Sequence, residues 1–274
     1  MSPSDPAFPP EIEYIIFTNT LALKVVRVEH SICFWLIPTI MQTVAICAIQ
    51  HGQALSYPPS RGISTLHRYG NHTHNLFIWL SKYHLSEFTV DQYFSLCPNV
   101  TDLLLWTGCD IDRAQLDLMS RLPLTRLSMD LDRIPETTPE LIRLFSKITH
   151  LEHITPITPS SYPALLKSFT NLTHLALPDG SSQSVVTLLF NDHPRLQVLI
   201  LLESNTEEIL RLTGGFDSNL DDLRVVFMMY KVGSEVEEWR LDVQEGRGMW
   251  GLADEAIAER RKLKAAMGGE GKSL

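Results

Sequence analysis

One six-residue block returns along this chain at a fixed step. Val100-Thr101-Asp102-Leu103-Leu104-Leu105 is followed by Leu124-Thr125-Arg126-Leu127-Ser128-Met129, Ile148-Thr149-His150-Leu151-Glu152-His153, Leu172-Thr173-His174-Leu175-Ala176-Leu177, Leu196-Gln197-Val198-Leu199-Ile200-Leu201 and Leu220-Asp221-Asp222-Leu223-Arg224-Val225. The middle leucine stands at 103, 127, 151, 175, 199 and 223, always 24 residues on. With Leu at about one residue in ten, six such coincidences in one phase are expected about once in a million. A strand turns alternate side chains to opposite faces, so the second and third anchors, such as Leu175 and Leu177, point one way, and His174, Ala176 and Pro178 the other. One unit cannot bury its leucines alone, whereas stacked units form a continuous core.

The pattern L-x-x-L-x-L at this period resembles the leucine-rich repeats. The resemblance covers Leu96 to about Met229, with a weaker earlier unit around Leu76-Phe77-Ile78-Trp79. It implies an α/β solenoid, with parallel strands on a concave face and helices on the convex one. The intervening segments read as helices at 114–121, 139–147, 162–169, 184–190 and 207–212. His153, in a core anchor position, is read as a hydrogen-bonded residue at the edge of the core.

The register also gives the open face. Asp102, Arg126, His150, His174, Val198 and Asp222 form one outward row. Leu104, Ser128, Glu152, Ala176, Ile200 and Arg224 form the next, and Trp106, Asp130, Ile154, Pro178, Leu202 and Val226 a third. Trp106, Arg126, Asp130, His150, Glu152, His174, Ile200, Leu202 and Arg224 are the candidate partner-binding residues. The apolar end at Val198, Ile200, Leu202 and Val226 implies a contact, made either by a partner or by the chain's own C-terminal segment.

Ahead of the repeats, Pro9-Pro10-Glu11-Ile12-Glu13-Tyr14-Ile15-Ile16-Phe17 is a proline-led apolar helix start. Leu21 to His30 and Trp35-Leu36-Ile37-Pro38-Thr39-Ile40 follow it. This segment resembles an F-box, with a shortened interval between Phe17 and Trp35, and its placement resembles the F-box/leucine-rich-repeat proteins of the expanded fungal (basidiomycete) type. The resemblance implies a substrate-receptor subunit of a cullin-RING ubiquitin ligase. Pro10, Ile12, Ile15, Ile16, Phe17 and Trp35 would then bind the adaptor subunit, and an unknown target protein would sit on the concave face. On the residues alone, the same segment reads equally as a helical cap of a non-catalytic scaffold.

The expected organisation is a disordered start at 1–8, an F-box-like helical segment at 9–49, a Pro/Gly/polar linker at 50–75 and the solenoid at 76–232. A C-terminal helical cap at 233–266, anchored by Trp239 and Trp250, and a disordered tail at 267–274 complete it. The apolar run Ser31 to Gln50 holds Pro38, Thr39, Gln42 and Thr43 and reads as a buried helix pair rather than a membrane span.

Composition narrows the function. A net charge of −9, with 32 acidic against 23 basic residues, argues against a nucleic-acid binder. The four cysteines show neither zinc spacing nor a disulfide framework, and Met1 to Pro10 has no cationic secretory start. A cytoplasmic or nuclear monomer without cofactor or metal is expected. No G-x-S-x-G, H-E-x-x-H or dinucleotide-binding glycine pattern occurs, so no enzyme activity is expected.

Overall fold

The computed structural model describes residues 42–48, 66–80, 90–134, 138–155, 166–178, 183–203, 222–229, 239 and 248–269. Contacts divide the chain into two units, 1–40 and 41–274, and the described residues all belong to the second.

The first five recurring blocks each carry a strand, and each described strand pairs with the next in parallel. The sheet runs β1 (Thr43–Ala48), β2 (Asn75–Leu80), β3 (Asp102–Thr107), β4 (Arg126–Met129), β5 (His150–His153), β6 (His174–Pro178), β7 (Val198–Glu203) and β8 (Val225–Met229), in chain order. An open, all-parallel sheet whose neighbours are consecutive in sequence is compatible with a solenoid-like α/β fold. Helices α1 (Val90–Leu96), α2 (Arg113–Arg121), α3 (Pro139–Phe145) and α4 (Gln183–Asp192) provide crossovers. Of the helix expected at 162–169, residues 162–165 lie outside the described residues and Leu166–Ser168 forms a 3-10 turn, while 207–212 also lies outside them. Asp112 caps α2 by accepting from Gln115 N–H, while the Gln115 side chain accepts from Asp112 N–H. That reciprocal pair satisfies two donors a helix start otherwise leaves open.

The inward anchors build one core. Leu76, Ile78, Leu103, Leu105, Leu127, Met129, Leu151, Leu175, Leu177, Leu199, Leu201 and Val225 are all buried, and they pack with Leu116, Met119, Leu141, Leu144, Phe145, Leu166, Phe169, Val185 and Leu189 from the crossovers. His153 is buried in this row, with Leu131 N–H donating to its Nδ1 at 3.5 Å and the Thr155 hydroxyl 3.2 Å from Nε2. That matches the edge-of-core reading, and burial holds its ring below the ordinary histidine range, hence neutral.

The residue after each first anchor contributes a second ladder that the leucine pattern hides. Thr125 N–H donates to Thr101 O, Thr149 to Thr125 and Thr173 to Thr149, at 2.8, 2.9 and 2.9 Å. The Thr125 and Thr149 hydroxyls donate to the same carbonyls, and the Thr173 hydroxyl lies 3.1 Å from Thr149 O. The residue before the first anchor acts likewise, since Asn99 donates to Asn71 O, Lys147 to Leu122 O and Asn171 to Ser146 O. Asn99 and Asn171 are thus used inside the array, although each heads a glycosylation sequon.

Three boundaries differ from expectation. Thr43–Ala48, placed in the helical segment at 9–49, is strand β1, paired along its length with β2. The β-branched Thr43, Val44 and Ile46 suit a strand, and a paired neighbour decides between strand and helix for so short an apolar run. The array therefore starts before residue 76. Within the expected linker at 50–75, residues 66–69 are helical and Gly70–His72 forms a 3-10 turn, with Leu66 and Gly70 buried. A methyl group on Gly70 would stand 2.1 Å from the Leu96 carbonyl oxygen. Gly70→Ala is accordingly expected to cost about 1–3 kcal/mol as overpacking, read as a lowered urea midpoint, and an unchanged midpoint would contradict this packing.

The last repeat is also displaced. Leu199 pairs with Val225 and Leu201 with Phe227, so the final step is 26 residues and Leu223 is not an inward anchor. Because the shift is even, facing is preserved while each outward residue moves along its strand.

Candidate functional site

The residues expected to form a free binding face lie on the side of the sheet opposite the crossovers, as the register requires. Phe77, Leu104, Ser128, Glu152, Ala176, Ile200 and Val226 make its middle row, and all are buried. The chain's own C-terminal residues cover both ends of this row.

Near β2 and β3, Trp239 Nε1 donates to Asp102 Oδ1 at 3.3 Å, and its ring lies 5.5 Å from Phe77. Trp79 and Trp106 complete an aromatic group, centroids 5.5 Å apart, and Trp106 Nε1 donates to Ser128 Oγ at 3.1 Å. At the other end lies helix α5 (Met249–Gly269). Its Trp250, Ala253 and Ile257 form a second apolar cluster with Ala176, Val198, Ile200, Leu202 and Val226, distinct from the main core. Of the expected cap at 233–266, Trp239 and α5 thus lie on the open face of the sheet, and α5 extends into the tail expected to be disordered from 267. The two open readings of the apolar end resolve, in this structure, to self-coverage.

Between these contacts stand the polar residues. The His150 and His174 rings stack with centroids 4.0 Å apart, and Trp250 presents its edge to both, at 5.4 and 5.9 Å. His174 Nε2 lies 3.3 Å from Asp254 Oδ1 of α5, and the two Nδ1 atoms lie 2.9 and 2.8 Å from the hydroxyls of Thr149 and Thr173. Burial drives His150 down to about 3, with His174 and Arg126 adding to the effect. Burial also lowers His174, against the opposing pull of Asp254. Both rings are therefore neutral at pH 7, and the contact to Asp254 is a hydrogen bond from an imidazole N–H, not an ion pair. Arg126 lies 3.7 Å from Asp102.

Two expected partner-binding residues are occupied elsewhere. Asp130 organises the turn after β4, accepting from Asp132 N–H, Arg133 Nε and the Thr155 hydroxyl. Arg224, displaced by the 26-residue step, binds Asp222, donates to Leu196 O and lies over the Phe190 ring at 3.8 Å. Ile200 and Leu202 are under α5, Glu152 and His174 are buried, and Trp106, Arg126 and His150 are half-buried. Trp239, Trp250 and Asp254 complete the site. The two tryptophans were legible as anchors, but nothing in a 24-residue repeat says which face such anchors reach.

Pro10, Ile12, Ile15, Ile16, Phe17 and Trp35 lie outside the described residues. Among the described residues, no group of three or more His, Cys, Asp and Glu side chains could hold a metal ion, and no helix is long and apolar enough to cross a membrane. Cys97 and Cys109 are free thiols, and burial pushes the first up to about 11. Fold and site together define an open, all-parallel α/β array whose outward face is partly filled by its own C-terminal helix. No family model and no curated protein matches the chain.

Proposed function

We propose that the chain is a leucine-rich-repeat protein-interaction module, non-catalytic, serving as the substrate-receptor subunit of a cullin-RING ubiquitin ligase. The observation that carries the module reading is the sheet itself: the eight described strands, parallel and in chain order, line up outward residues about 4.8 Å from one strand to the next on a broad face whose ends the chain's own Trp239 and α5 occupy, an arrangement suited to contacting another polypeptide. The receptor role rests on the likeness of 9–49 to an F-box. In this reading Pro10, Ile12, Ile15, Ile16, Phe17 and Trp35 hold the adaptor, the repeats hold the target, and the protein works in the cytoplasm or nucleus.

The test is capture of the purified adaptor subunit by the whole chain and by the triple substitution of Ile12, Ile15 and Ile16 with Asp. Capture by the wild type and its loss in the variant are expected. Equal capture would refute the contact, and no capture by either would leave the second reading, a repeat scaffold with a structural N-terminal segment. A truncation used as control should begin at Met41 and not beyond Thr43, because removing β1 would strip β2 of its paired neighbour.

A further inference from the structure

We propose that the open face over β6, β7 and β8 is a docking site for an amphipathic helix of a partner protein, held shut by α5 acting as an internal stand-in. The inference rests on the protein-interaction reading above and names the class of partner.

Three observations carry it. The contact is separable: the cluster of Ala176, Val198, Ile200, Leu202 and Val226 with α5 is distinct from the main core and lies on the opposite face of the sheet, so α5 can leave without opening the repeats. The contact is also short. Trp250, Ala253 and Ile257, at i, i+3 and i+7, provide the buried anchors, whereas residues 258–266 are exposed, with Arg260 reaching back to Val225 O. Such spacing is the anchor set by which a helix lies in an apolar groove, and any helix carrying it can compete.

The contact is chemically specific as well. The stacked rings of His150 and His174 receive an aromatic edge at the first anchor, the small Ala176 and Ala253 permit close approach, and His174 Nε2 selects a carboxylate four residues after the aromatic. The partner helix therefore carries the order aromatic, small, acidic, aliphatic at i, i+3, i+4 and i+7.

A fluorescein-labelled synthetic peptide reproducing residues 247–266 tests this in trans against the full-length chain and its Asp254→Lys variant. Asp254 is largely exposed, so its replacement weakens α5 without disturbing the core. Since a site closed most of the time binds with an affinity reduced by its open fraction, the variant is expected to bind the peptide at least about tenfold more tightly than the wild type. A peptide with Lys at the position of Asp254 is expected to lose most of that binding. Amide hydrogen exchange should at the same time show faster exchange in α5 of the variant, with β6 and β7 still protected.

Equal affinity of both chains for the peptide, absence of binding to either, or indifference to the Lys replacement would overturn the proposal. So would a concentration-dependent dimer that refuses the peptide, since α5 would then be an exchange arm between copies. In the proposed reading adaptor capture rests on Pro10 to Trp35, ahead of β1, so its failure and the failure of this site are separate results.

Discussion

Phe169→Ala is expected to lower the free energy of unfolding by about 3–5 kcal/mol, the usual loss for emptying a fully buried aromatic site. Phe169 is wholly buried and its ring stacks on Phe145, with centroids 4.1 Å apart and planes 21° from parallel. The pair joins α3 to the turn that precedes β6, where two successive units meet. In a stacked array each unit leans on its neighbours, so a cavity at this seam weakens both. Urea titration of wild type, both single alanine variants and the double variant isolates the ring contact, which should couple by about 0.5–1.5 kcal/mol. A loss below about 1 kcal/mol for Phe169→Ala would mean that the two units are not packed as described.

Acid is expected to destabilise the chain well above the range in which carboxylates titrate. Burial lowers His150, His153, His174 and His193 from the ordinary value of 6.5, and His150 falls to about 3. Between the folded and unfolded values the unfolded chain binds more protons, so stability rises with pH. The contribution is fully present above about pH 6.5 and is lost as pH falls toward the folded value. For His150 alone, moving from about pH 7.5 to about pH 5 should remove about 2 kcal/mol, at about 1.4 kcal/mol per unit. Urea midpoints at the two pH values check this, and His150→Phe should flatten the dependence while keeping the stack on His174 and the edge contact with Trp250. A midpoint that is constant, or higher at the lower pH, would contradict neutral buried rings. The lowered carboxyl of Asp222, held down by Arg224, acts only below its unfolded value of 3.8 and leaves this window undisturbed.

Much of the scaffold was legible because its period is enforced by contact. Leu127, Leu151, Leu175 and Leu199 recur at one step because each covers its neighbour, and α2, α3 and α4 lie close to where apolar spacing placed them. Where pressure from the repeat slackens, so does legibility. Thr43–Ala48 lacks the leucine signature and was read as helix; Gly70 looks like linker composition until Leu96 is seen against it; Leu223 satisfies the pattern, yet Val225 takes the inward place. In the last case an acceptable residue stands at both positions, and only the pairing with β7 chooses.

The candidate site divides the same way. His150, His174, Ile200 and Leu202 were placed on the open face from register alone, because a two-residue alternation fixes facing. That Trp250 presents its edge to His150 and His174, that Asp254 meets His174 and that Trp239 reaches Asp102 could not be read from the chain, since these pairs are 76 to 137 residues apart and share no period. By itself the sequence determined the repeat, the parallel order of its strands and the composition of each face, all consequences of local alternation and nearest-neighbour burial. Only the tertiary structure decided that the apolar end of the open face is filled by α5, because an exposed apolar ladder specifies that something must cover it and leaves the choice to whichever segment can reach.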